Sequence, residues 1–209
     1  MFSLQRFLSR DDKFFDLMEG SAEEAHAAIQ GLVMMMRTPE EKRTLDYFVI
    51  ARRKEKRISQ ELTEQLCRTF VTPLEREDIE ALSHALYKIP KTAEKFGERY
   101  LRAGKKANGV DLSMQVEMLE KASEVLVLMV RELRSGIELQ TVKEQNDQLQ
   151  LIEGKGDKLM LDALQELYDG KHDPLQVMLM KDLLELLEKL IDRCRDVGNI
   201  VFHIILKHS

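Results

Sequence analysis

Tryptophan is absent from this 209-residue chain, and only 4 prolines, 10 glycines and 2 cysteines occur in it. So few turn formers exclude a fold of many short strands and read instead as long helices rich in Leu, Glu, Lys, Met and Gln. Cys67 and Cys194 stand alone in expected helices with no C-x-x-C spacing. Neither a disulfide framework nor a zinc site follows from them, and a reduced, cytoplasmic compartment is the expectation. No run of about 18 uncharged apolar residues exists, so no membrane span is expected. The segment Met1–Leu8 is too short and too interrupted for a signal peptide, and its Phe2, Leu4, Phe7 and Leu8 are expected to pack on the first helix. A basic surplus is missing as well: 32 Lys and Arg against 37 Asp and Glu leave a net charge of −5, which argues against a nucleic-acid partner. Catalytic signatures are lacking too. Ser, His and Asp form no hydrolase motif, and Gly154-Lys155-Gly156-Asp157 lacks the strand a phosphate loop requires.

What is present is helical periodicity. Phe14, Met18, Ala22, Ala25, Ile29, Leu32 and Met36 place a first helix over about 11–37, with Met34-Met35-Met36 as adaptable core filler. Thr38-Pro39-Glu40-Glu41 reads as a capping box opening a second helix that runs to about Phe70. Thr72-Pro73-Leu74-Glu75 repeats that start signal for a third helix, and Pro90 predicts a kink inside it. Gly104–Gly109 is the one linker-like stretch. A fourth helix is expected over 111–134, closed by Ser135-Gly136, and a fifth over 137–168. Asp173-Pro174-Leu175-Gln176 caps the sixth, which runs to the end.

Pro73 and Pro174 are 101 residues apart, and that offset aligns Leu82 with Leu183, Leu86 with Leu187, Ile89 with Leu190 and Leu66 with Leu167. Capping motif, apolar stripe and helix order arriving at one offset indicate an internal duplication. The fold class is therefore all-α: two tandem three-helix bundles, the first over 1–104, a linker over 105–110 and the second over 111–209.

Two acid pairs stand out in the second half. Glu188 and Asp192 are four apart, as are Glu153 and Asp157 on the preceding helix, so each pair stacks its carboxylates along one helix face. Like charges at that spacing repel unless a cation lies between them, and two such helices can offer a metal ion oxygen ligands. At the 101 offset the four acids fall on Arg52, Lys56, Tyr87 and Lys91. With Arg53 and Lys88 nearby, the first half carries a basic counterpart suited to anions: Arg52, Arg53, Lys56, Lys88 and Lys91.

The segment Phe70-Val71-Thr72-Pro73-Leu74-Glu75-Arg76-Glu77-Asp78-Ile79, with Glu153-x-x-x-Asp157 and Leu187–Cys194, resembles the PhoU-like family of phosphate transport regulators, often encoded beside Pit-type phosphate transporters. The resemblance spans nearly the whole chain and implies two three-helix bundles side by side. It further implies iron, zinc or another divalent metal at E/D-x-x-x-D motifs, which here match Glu153, Asp157, Glu188 and Asp192. Because Arg52, Lys56, Tyr87 and Lys91 break the motif, the implied metal is confined to the second half.

The function this points to is a non-catalytic helical adaptor regulating phosphate uptake, cytoplasmic and peripheral to the inner membrane face, with a phosphate transporter or its regulatory apparatus as partner. The alternatives are a ferritin-like carboxylate-bridged metal enzyme, for which Glu23-x-x-His26 is the lone Glu-x-x-His motif, and an anion or polyphosphate binder. Opposite charge at equivalent positions also leads to the expectation of an antiparallel homodimer, basic half against acidic half.

Overall fold

Among the described residues the chain forms six long helices: α1 (Leu4–Arg37), α2 (Asp46–Arg68), α3 (Arg76–Ala103), α4 (Ser113–Ser135), α5 (Leu139–Leu167) and α6 (Pro174–His208). The computed structural model describes residues 4–107, 110–135 and 139–208, with side chains from residue 12 onward. No strand occurs among the described residues, as the scarcity of turn formers led one to expect. The expected contacts of Phe2, Leu4, Phe7 and Leu8, the Gly136 cap and the helix start at Ile137 lie outside the side chains and residues described.

Two of the three helix-start signals act differently from expectation. Glu40–Lys42 form a single 3-10 turn and α2 begins only at Asp46. Thr38 does not cap it: its hydroxyl donates to the Met34 carbonyl at 2.6 Å and closes α1 instead. The Thr72 hydroxyl likewise turns away, donating to the Leu74 carbonyl at 2.7 Å, and α3 starts at Arg76. Arg76 then reaches back to α2, donating to the Leu66 carbonyl at 2.6 Å and to the Thr69 carbonyl, so α2 ends at Arg68 rather than Phe70. Only Asp173 caps as read. Its Oδ1 accepts from the amides of Leu175 at 3.0 Å and Gln176 at 3.2 Å, with Pro174 as the first helical residue.

The linker is also tighter than its composition suggests. Gly104 closes α3 at a φ of +51°, and Gly104–Ala107 form a 3-10 turn packed on α3 and α6, with Ala107 buried. Residues 108 and 109 of the expected linker lie outside the described residues. Pro90 is accommodated inside α3, buried against the core.

Each helix triplet packs within itself, and α1 on α4 and α3 on α6 join the triplets, so the buried side chains form one continuous core. Both joints run antiparallel. On α1–α4, Glu23 meets Arg131 at 3.0 Å while His26 meets Ser123 and Gln30 meets Glu120. On α3–α6, Asp78 meets Lys207, Arg99 meets Asp182, and Arg193 donates to Thr92 between them. Thr92 and Arg193 are themselves 101 residues apart. Two equivalent residues can touch only where a two-fold axis passes, which places a pseudo-two-fold through the middle of α3–α6.

The offset recurs in the interior. A Cβ on Gly97 would lie 2.7 Å from Phe48 Cε2 and 3.1 Å from Leu45 Cδ2. One on Gly198 would run into Leu149 Cδ1 and lie 3.2 Å from Asn146 Oδ1. Each of these three residue pairs — Gly97 and Gly198, Phe48 and Leu149, Leu45 and Asn146 — is separated by 101. In both triplets the last helix lacks a side chain where the middle helix presses closest.

Candidate functional site

The α5–α6 interface brings three of the four acids together and diverts the fourth. Gly156 permits it: a Cβ there would stand 2.9 Å from Ile191 Cδ1, so α5 and α6 approach closely at this level. Gly154 has nothing within 4 Å, so its glycine serves no packing need. Glu188 is pushed up to about 6, first by burial and then by the neighbouring carboxylates of Asp192 and Asp157. Glu153 leaves this group: its Oε1 accepts from Arg195 Nη1 at 2.5 Å. Arg195 Nη2 also stands 3.6 Å from Asp192 and 3.1 Å from Asp196. A guanidinium thus occupies the place between Glu153 and Asp192 where a metal would need to sit. Among the described residues no three His, Cys, Asp or Glu side chains are grouped so as to hold a metal ion. As arranged, the four acids do not fit one.

The basic set lies on α2 and α3, with one member already paired. Arg52 pairs with Glu94, which holds its guanidinium pKa above the usual value. Lys54 pairs with Glu24 at 3.0 Å. Lys88 is half-buried and its carbonyl accepts from Arg193, whereas Arg53, Lys56 and Lys91 are exposed. Of the ferritin-like motif, Glu23 is paired with Arg131 and His26 Nδ1 lies 2.8 Å from the Ser123 hydroxyl, so both are spent on the α1–α4 joint.

Three residues were not singled out from the sequence. Arg195 is the partner of Glu153; it is equivalent to Glu94 at the 101 offset, so carrying the sign reversal one step further would have found it. Arg193 sits at the pseudo-two-fold. Glu55 is fully buried between α1 and α2, accepting from the Ser21 hydroxyl at 2.7 Å, with its Oε2 unpartnered. Burial pushes its carboxyl up to about 8, with Glu24 adding to the shift. Amid the run Arg52–Arg57 it reads as one more charged residue; its place on the apolar stripe of Phe48, Ala51 and Leu62 was the available signal.

Among the described residues no helix is long and apolar enough to cross a membrane. No family model matches the chain. Its sequence is 24% identical over 214 residues to the "Putative pit accessory protein" of Rhizobium meliloti (strain 1021), covering 98% of this chain and 97% of that protein. It is 26% identical over 150 residues to the UPF0111 protein YkaA of Bacillus subtilis (strain 168), covering 71% of this chain and 72% of that one. Two PhoU-like proteins of Shewanella oneidensis MR-1, known from crystal structures, superpose with TM-scores of 0.72 and 0.73 at 17% identity, over 95% of this chain and 99% of each of theirs. The chain has the fold of PhoU-like proteins, which bears out the resemblance carried by Phe70–Ile79.

Proposed function

We propose that this chain, folded like the PhoU-like proteins, is a non-catalytic adaptor that regulates phosphate uptake at the inner face of the membrane. The observation that carries it is the likeness, along nearly the full length of both chains, to a protein named as accessory to a Pit transporter. Some of the surface charge holds the bundle in inter-helix ion pairs, such as Arg134 with Asp16 and Glu19 or Lys207 with Glu75 and Asp78. Metal forms no part of the reading, because Arg195 already pairs with Glu153 at 2.5 Å and stands 3.6 Å from Asp192.

The test is affinity purification of the tagged full-length chain from solubilised membranes, with the co-purifying proteins identified by mass spectrometry. A phosphate transporter retained in proportion to the bait, and phosphate uptake altered when the chain is deleted, is the expected result. Retention of no transporter together with unchanged uptake overturns it.

A further inference from the structure

The helix pairs α2–α3 and α5–α6 are equivalent at the 101 offset, but their exposed side chains differ. In the first half a groove between α2 and α3 encloses about 320 Å³ and is lined by apolar and polar side chains together, among them Leu62, Leu66, Tyr87, Thr63, Glu80 and His84. On α5, Asp157, Leu161 and Leu164 follow one another at spacings of four and three, so they share one face, and Tyr168 in the turn just past the helix end continues that line, its amide donating to the Leu164 carbonyl at 3.1 Å. Leu161 is 62% exposed and Tyr168 57%. On α6, Lys181 stands near Tyr168, and Met178, about one turn earlier, is 57% exposed. The exposed α5–α6 face therefore runs from the carboxylates of Asp157 and Glu188 at one end to the apolar surface of Leu161, Tyr168 and Met178 at the other.

The repeat acts as an internal control on this surface. The positions equivalent to Asp157, Leu161, Leu164, Tyr168 and Met178 are Lys56, Gln60, Thr63, Cys67 and Glu77, mostly polar or charged. A scaffold that folds with Gln60 and Glu77 on α2 and α3 does not need Leu161 and Met178 exposed on α5 and α6. Exposed apolar side chains that folding does not require mark a surface for a partner.

Charge selects among partners. Glu153, Asp157, Glu185, Glu188 and Asp192 outnumber the bases placed near them, Lys181, Lys189 and Arg195. Lys181 is committed to Glu185 and Arg195 to Glu153, which leaves Asp157, Glu188 and part of Asp192 in excess over Lys189. We infer that the exposed α5–α6 face docks an amphipathic helix of a partner protein, its apolar face on Leu161, Tyr168 and Met178 and its Lys or Arg residues against Asp157, Glu188 and Asp192. For the source of that helix the inference rests on the adaptor reading: cytoplasm-facing segments of membrane proteins carry an excess of Lys and Arg beside their spans.

The experiment measures fluorescence anisotropy of a labelled 18-residue helical peptide on the full-length chain. One peptide carries Leu at helical spacing with flanking Lys; a second has every Lys replaced by Glu. The Lys peptide binds, and the Glu peptide binds at least tenfold more weakly. Leu161→Gln with Met178→Glu, the residues the first half already holds at these positions, weakens the Lys peptide tenfold or more without altering the melting temperature. Asp157→Asn with Glu188→Gln weakens it severalfold and flattens its salt dependence. Equal binding of both peptides, or unchanged binding by Leu161→Gln/Met178→Glu, overturns the inference. So does a wild-type dimer that this variant makes monomeric, which would seat a second copy there, and so do anionic vesicles that retain the wild type and not the variant. No transporter is needed in this assay, so its failure leaves the membrane co-purification result standing on its own.

Discussion

Arg52 of α2 meets Glu94 of α3, and 101 residues further on Glu153 of α5 meets Arg195 of α6. Both residues of the first pair map onto the two of the second, with acid and base exchanged. The reversal of sign that suggested an anion site in one half and a cation site in the other is, at these positions, one inter-helix ion pair written twice in opposite polarity. Such a pair constrains complementarity and leaves the choice of sign free, because its attraction is the same either way round. Of the surrounding positions, Tyr87 joins the Arg52 pair across the helices, while Lys56 and Lys91 against Asp157, Glu188 and Asp192 give each half its own local charge. What distinguishes the halves chemically is thus the unpaired shell, and the raised Glu188 carboxyl is its clearest mark.

The largest expected effect concerns a position where the halves differ outright. Glu55 is buried, while its equivalent Gly156 has no side chain. A carboxyl whose folded pKa of about 8 lies above the ordinary 4.5 binds its proton more tightly when folded. Its stabilising contribution is complete below pH 4.5 and is lost as the pH rises to about 8. Thermal or urea denaturation from pH 5 to pH 9 should show the wild type losing on the order of 3 kcal/mol that Glu55→Gln keeps. Parallel curves for the two proteins would mean that Glu55 is ionised when folded.

The next effect tests where the halves agree. Gly97→Ala and Gly198→Ala should each destabilise by about 1–3 kcal/mol, because a methyl cannot enter without moving Phe48 or Leu149, and this exceeds the helix-propensity gain of about 1 kcal/mol. Gly154→Ala, with open space around it, should instead stabilise by roughly 0.5–1 kcal/mol. If Gly198→Ala behaved like Gly154→Ala, the packing equivalence of the two halves would not extend to energy.

These residues also show what the sequence disclosed. Helix number, helix order and the 101 offset were legible because they rest on periodicity and on one repeated Pro. Two of the three expected caps failed because a hydroxyl has several backbone partners within reach: Thr38 and Thr72 chose carbonyls, and the pattern of side chains does not rank those choices. The acid pairs were visible as neighbours along each helix. That Arg195 would stand between Glu153 and Asp192 was not, since it depends on how α5 rolls against α6. Burial of Glu55 was hidden by its charge, its helix face outweighing its polarity once α1 closed over it.

The smallest effect is the most direct test of the exchanged pair. Arg52→Glu alone places two acids together on α2–α3 and loses the attraction to Glu94; Glu94→Arg alone sets two guanidinium groups side by side. With Arg52 and Glu94 both half-exposed or better covered, each single variant should cost on the order of 1 kcal/mol. The double variant Arg52→Glu/Glu94→Arg recreates in the first half the polarity that Glu153 and Arg195 hold in the second. It should recover most of that cost, leaving a net change within about 0.5 kcal/mol of the wild type and a coupling energy equal to the remainder. Denaturant titration of the four proteins closes the cycle. Tyr87 neighbours the pair, and its hydroxyl can accept from Arg52 in the wild type or donate to a glutamate in its place, so it does not by itself penalise the exchange. A double variant as unstable as the sum of the singles would show that polarity is fixed by the surroundings, and that the two pairs are equivalent in position only.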